Sequence, residues 1–147
     1  MLTRAVVLLV VLAGLLAQPQ ATDQAKKDLE RLQGTWEMAA LEVDGKDVGA
    51  AKIQDTTLAI KGDKYTVKVK KSVNGCTIRL DPSKKPHAID MIFSEPGNAD
   101  KVHKGIYMIE GDTLKICRGL NADQERPEQF ATWPNTGYFV VTWKRAP

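Results

Sequence analysis

At 147 residues with a formal net charge of +3, the chain has the length of one domain and too little charge to draw in nucleic acid or an anionic membrane. Lysines and acids are interspersed, and no basic patch carries interleaved aromatic residues, which excludes a nucleic-acid reading. Two histidines and two cysteines leave little material for a metal site, which needs about three or four ligands.

Arg4 precedes Ala5–Ala17, a run of 13 apolar residues and glycine. A membrane-crossing helix needs about 20 such residues, so the run matches the apolar region of a secretory signal peptide. Small residues at Ala17 and Ala21 offer cleavage points. Residues 1–21 are therefore expected to be a signal peptide and residues 22–147 an exported domain, periplasmic or extracellular, without stable membrane insertion.

Next comes a helix, capped by Thr22 or Asp23, ended by Gly34, and carrying a narrow apolar stripe of Leu29 and Leu32. From Thr35 onward the helical period vanishes, and short strands alternate with turn residues. The expected strands are 35–43, 54–60, 64–70, 76–80, 88–93, 101–109, 113–118 and 138–145. Asp44-Gly45, Gly62-Asp63, Asn74-Gly75 and Gly111-Asp112 supply turns between them. The pattern predicts an all-β domain, an eight-stranded antiparallel up-and-down barrel with a short N-terminal helix over one end. The connection from Gly119 to Gly137 is long for a compact domain, and such loops are commonly functional.

Alternation predicts the interior: Trp36, Met38, Leu58, Ile60, Tyr65, Val67, Val69, Ile78, Leu80, Ile89, Met91, Phe93, Tyr107, Ile109, Leu114, Ile116, Phe139, Val141 and Trp143. These are bulky, which favours a filled core over a ligand cavity. Cys76 runs in phase with Ile78 and Leu80, whereas Cys117 runs opposite to Leu114 and Ile116. The two thiols are thus expected on different sides of the wall, which argues against a disulfide.

Gly34-Thr35-Trp36, entering the first strand behind a short helix, resembles the Gly-x-Trp of lipocalins and related calycins. That likeness implies a structural role for Gly34 and Trp36, with a basic residue of the last strand, Lys144 or Arg145, packed across the indole. A second resemblance covers nearly the whole mature chain. Leu32-Gln33-Gly34-Thr35-Trp36, Asp81-Pro82-Ser83-Lys84-Lys85-Pro86, Ala88-Ile89-Asp90, Lys104-Gly105-Ile106-Tyr107, Gly111-Asp112-Thr113-Leu114-Lys115-Ile116-Cys117 and Arg126-Pro127 are similar to a planctomycete-enriched domain family of exported bacterial proteins. That family has no assigned function, so the resemblance implies an exported, lipocalin-like barrel and no catalytic residues.

The residues themselves offer no catalytic arrangement either. His87 and Asp90 stand three apart on a strand and face opposite sides, and no Gly-x-Ser-x-Gly elbow exists. The expectation is a non-enzyme without cofactor or metal. As a binding module it would hold a small hydrophobic molecule at the barrel mouth, through Met38, Tyr65, Val67, Met91, Phe93, Tyr107, Phe130 and Trp133, under a lid formed by the long loop. The alternative is a filled barrel whose Phe130 and Trp133 anchor an exported protein or an envelope polymer. A hydrolase is the least favoured reading, because no acid–base pair stands out.

Overall fold

Trp36 and Arg145 face each other across the pairing that closes the sheet on itself. In the computed structural model, which describes residues 20–147, strand β1 (Gly34–Val43) pairs antiparallel with the last strand, β9 (Tyr138–Arg145), from Trp36 opposite Arg145 to Val43 opposite Phe139. Between them run a short strand β2 (Lys46–Asp47), β3 (Thr56–Lys61), β4 (Lys64–Val69), β5 (Ser72–Asp81), β6 (Ala88–Phe93), β7 (Lys101–Glu110) and β8 (Thr113–Gly119), the long strands each antiparallel to the next. Setting β2 aside, the result is a closed antiparallel barrel of eight strands, which leaves no long sheet edge exposed. Residues 1–19, which hold most of the expected signal peptide and its Ala17 cleavage point, lie outside the described residues, whereas the alternative point, Ala21, lies in the first turn of the N-terminal helix.

Two-residue turns set the register. At Asp44-Gly45 both residues have positive φ, the mirror-image turn whose twist suits a hairpin. Gly62-Asp63 and Gly111-Asp112 turn the chain where expected. Asn74-Gly75 does not. The β4–β5 turn is Lys70-Lys71, with Val69 opposite Ser72, and Asn74 and Gly75 lie inside β5 opposite Val67 and Thr66. Lys70 takes the left-handed conformation that the sequence signal assigned to the later pair. This correction lengthens β4–β5 into a hairpin whose tip exposes Val69 and Val73, so Val69 leaves the predicted core. A short helix α2 (Ala50–Ile53) also fills the stretch before β3, burying Ile53 and delaying the strand to Thr56.

The N-terminal helix α1 (Gln20–Leu32) starts ahead of the expected caps, which puts Asp23 inside its first turn, where a negative charge suits the helix dipole. Its far end is fastened to the barrel through the carbonyls that a helix leaves unpaired. The Trp36 indole Nε1–H donates to Leu32 O at 2.9 Å. Arg145 Nη2 donates to Arg31 O at 2.6 Å and Nη1 to Gln33 O at 2.9 Å. The same guanidinium lies 4.2 Å from the Trp36 ring centroid, so the basic residue across the indole is Arg145 and not Lys144. Gly34 holds φ +117°, and a Cβ there would stand 3.5 Å from Arg145 Nη1. Halfway along α1, buried Asp28 accepts from the Tyr107 hydroxyl at 2.6 Å and from Gln24 at 2.9 Å. Leu32, Trp36, Leu58, Leu114 and their neighbours form the core beneath the helix.

Trp36 is fully buried, and truncating such a residue costs about 3–5 kcal/mol from a total stability of about 5–15 kcal/mol. Trp36→Ala is therefore expected to unfold or aggregate at ordinary temperature. Arg145→Ala, which loses the stacked cation and two carbonyl caps while leaving the indole buried, is expected to fold with a clearly lowered urea midpoint. Urea titration of both variants checks the ranking; Trp36→Ala melting within a couple of degrees of the parent would remove the indole from the core.

Candidate functional site

The end of the barrel opposite α1 is open. Inside it lies a cavity of about 310 Å³, at the low end of the usual range for small-molecule pockets of about 300–1,000 Å³. The bulky interior predicted from the sequence thus fills the half beneath the helix and leaves the other half hollow. A β-bulge between Met38 and Ala40 shifts the phase of β1 by a residue. Leu41 and Val43, opposite Val141 and Phe139, consequently turn inward and build the rim.

Of the residues expected to contact a ligand, Met38, Tyr65, Val67, Met91 and Phe93 line this cavity. Tyr107, Phe130 and Trp133 do not. Tyr107 faces inward but sits under α1, bonded to Asp28. Phe130 packs on the outside of the wall with Ile106, Cys117 and Val140. Trp133 is half exposed and lies beside the Asp44-Gly45 turn, where Thr132 Oγ1 accepts from Gly45 N at 2.7 Å.

The long loop is a strap over the outer wall and not a lid over the mouth. Arg126 fixes it by donating to Gly105 O at 2.7 Å, Ile89 O at 3.1 Å and Asp90 Oδ1 at 2.7 Å. Gln124 ties its two ends together, giving a bond to Thr136 O and taking one from Asn121 N. Leu120, at the start of the strap, contributes to the cavity rim. The cysteines divide as their phases predict: Cys76 lines the cavity and Cys117 lies in the outer cluster, both free. Burial pushes each thiol up to about 11, which makes them poor nucleophiles at neutral pH.

Arg118 is the residue that the sequence reading passed over. It alternates in phase with Leu114 and Ile116 and so enters the lumen, where its guanidinium lies 4.6 Å from the Phe139 ring centroid and 5.6 Å from that of Phe93. Its Nη1 donates to His103 Nδ1 and to Gly119 O, each at 2.9 Å. An arginine always donates, so His103 Nδ1 must be the acceptor, which requires a neutral imidazole with its proton on Nε2. Burial and the Arg118 charge favour that form by lowering the His103 pKa. Burial also lowers the pKa of Arg118. Deeper in, Trp143 Nε1 is buried without a hydrogen-bond partner, although it stands close enough to the Tyr65 hydroxyl to oppose part of the upward push of burial on that phenol.

Among the described residues, no group of three or more His, Cys, Asp or Glu is placed to hold a metal ion, and no helix is long and apolar enough to cross a membrane. A second polar cluster, Asp28 with Tyr107 and His87, whose Nδ1 lies 3.7 Å from Asp28 Oδ2, belongs to the helix seal. Comparison with known protein families, with curated proteins and with solved structures finds no match. The geometry itself defines the class, a closed antiparallel β-barrel sealed at one end and hollow at the other.

The depressed His103 pKa has a sign that can be checked. The unfolded chain titrates near the ordinary value of 6.5 while the folded protein holds His103 neutral to lower pH. Between those values the unfolded state binds more protons, so stability rises with pH. The contribution is complete above about 6.5 and is lost as pH falls through the folded pKa. Melting curves of the parent and His103→Gln across the acid range are expected to converge as pH falls below that window; a constant gap would refute the neutral, acceptor imidazole.

Proposed function

We propose that this chain is an exported lipocalin-like binding protein that holds a small, largely apolar molecule in the mouth of its barrel. The observation that carries the reading is the hollow half of the lumen, about 310 Å³ walled by Met38, Val67, Met91, Phe93 and Val141. A ligand entering an apolar hollow of that size sheds water, and the walls of the hollow stand on hydrogen-bonded strands that are already in place. Export is supported by Arg4 and the apolar run Ala5–Ala17, and the lipocalin likeness by the Gly34–Trp36–Arg145 arrangement at the sealed end. Catalysis finds no support in the cavity, where both histidine-independent nucleophiles, the Cys76 thiol and the Tyr65 phenol, are pushed toward their protonated forms by burial.

A second reading rests on Trp133, a large aromatic side chain left half exposed on the strap, which suits an anchor for an exported protein partner. One experiment separates the two. A neutral hydrophobic dye is titrated into the purified protein while tryptophan emission and melting temperature are followed, Trp143 being the reporter in the cavity wall. Saturable binding with a rise in melting temperature is expected, since a ligand of the native state stabilises by mass action. Val67→Trp, which fills the hollow from β4, should weaken the dye at least tenfold; absence of saturation in the parent would leave the interaction reading.

A further inference from the structure

The cavity that the preceding reading treats as apolar contains one full charge. We propose that its ligand is an acid, a carboxylate on a medium-length apolar tail, whose head pairs with the guanidinium of Arg118. The inference rests on the binding reading and adds to it the chemistry of the occupant.

Four observations carry it. Among the described residues no acidic residue lines the cavity, and no carboxylate lies within ion-pair distance of Arg118. Its Nη1 is engaged by His103 and Gly119, whereas Nε and Nη2 make no hydrogen bond among the described residues. Those are the adjacent donors with which an arginine grips a carboxylate in a two-pronged bond. The Phe93 and Phe139 rings flank the cation and hold it in place before any ligand arrives, which reduces the ordering cost of binding.

The remaining polar groups point the same way. Trp143 Nε1 is a donor only, buried and without a partner, and the Tyr65 hydroxyl stands beside it. No carboxylate among the described residues lines the hollow to receive a cationic ligand. Leaving a cation unpaired in an apolar enclosure is costly, and an entering anion removes that cost. The charge count favours a monoanion: His103 is neutral and no second cation lines the cavity, so a phosphate dianion would bring one charge without a counterpart. A cavity of about 310 Å³ stands at the small end of ligand pockets, which suits a medium-length chain.

The test displaces a neutral naphthylamine dye from the purified protein with three chains of equal length: decanoate, decanol and decyltrimethylammonium, at neutral pH and fixed ionic strength. Decanoate is expected to bind at least tenfold tighter than decanol, and the ammonium to bind more weakly than either. In Arg118→Met the ratio of acid to alcohol affinity should fall to about one, whereas Arg118→Lys should keep a reduced preference for the acid. Equal affinities of decanoate and decanol in the parent, or an unchanged ratio in Arg118→Met, would overturn the proposal. If Arg118→Met does not fold, the comparison of acid and alcohol in the parent decides alone. Dye binding without acid preference sinks the charge assignment and spares the binding reading; failure of dye and all three chains to bind sinks both.

Discussion

The stack of Arg145 on Trp36 is the contact on which the rest of the molecule depends, because it joins three otherwise separate requirements. A closed sheet must meet its own first strand, and the Trp36–Arg145 pair is the end of that β1–β9 register. A helix must find partners for its last carbonyls, and the same two side chains supply them at Leu32, Arg31 and Gln33. A barrel must be stoppered, and the indole with Leu32 and Leu58 fills the bore. The positive charge at the helix C-terminus also complements its dipole. Since the backbone of Arg145 itself donates to Asp112 O at 2.8 Å, the β7–β8 turn is drawn into the same knot.

With that end fixed, the wall works as a two-sided partition. The inner face carries Tyr65, Cys76 and Ile116; the outer face around β7–β9 carries Ile106, Cys117 and Val140. The strap from Leu120 to Gly137 covers this apolar outer patch with Phe130. Arg126 makes the cover hold by donating to two strand carbonyls and to Asp90. Gly105 serves the inner side of the same strand pair: a Cβ there would come within 2.9 Å of Cys117 O and 3.0 Å of the Arg118 Cβ. The length of the loop is thus explained by the wall it protects and not by a gating role at the mouth.

How much of this the sequence disclosed follows from which rules are local. Alternation and tight turns are local, and they located every long strand, the inward set from Trp36 to Trp143 apart from Val69, and the opposite facing of the two cysteines. Where two local signals competed, the familiar one misled: Asn74-Gly75 looks like a turn, but the hairpin closes at Lys70-Lys71, with Lys70 at positive φ. The bulge at Met38/Ala40 left no mark in the residues, so Leu41 and Val43 went unnoticed as rim. Phe130 and Trp133 were grouped with the ligand site because aromatic residues on a long loop invite that reading; only the anchoring of Arg126 reveals which side of the wall they meet. Arg118 was hidden for the opposite reason. A charge in an alternating strand is taken for the wet face, yet its phase with Leu114 and Ile116 already placed it inside.

The two stacked arginines, Arg145 at the sealed end and Arg118 in the hollow, differ in how their donors are filled. Arg145 and Arg118 both lie against aromatic rings, and both donate to backbone carbonyls. Arg145 spends its donors on the Arg31 carbonyl of the helix, the Gln33 carbonyl just past it and the Asp112 carboxylate. Arg118 finds a neutral imidazole and a single carbonyl, in a chamber lined by no acid. Identical chemistry therefore has opposite consequences: a guanidinium with its anion and acceptors in place locks structure, whereas one held rigid without them is a standing demand for an external partner. Among the described residues, α1 has no counterpart over the hollow end.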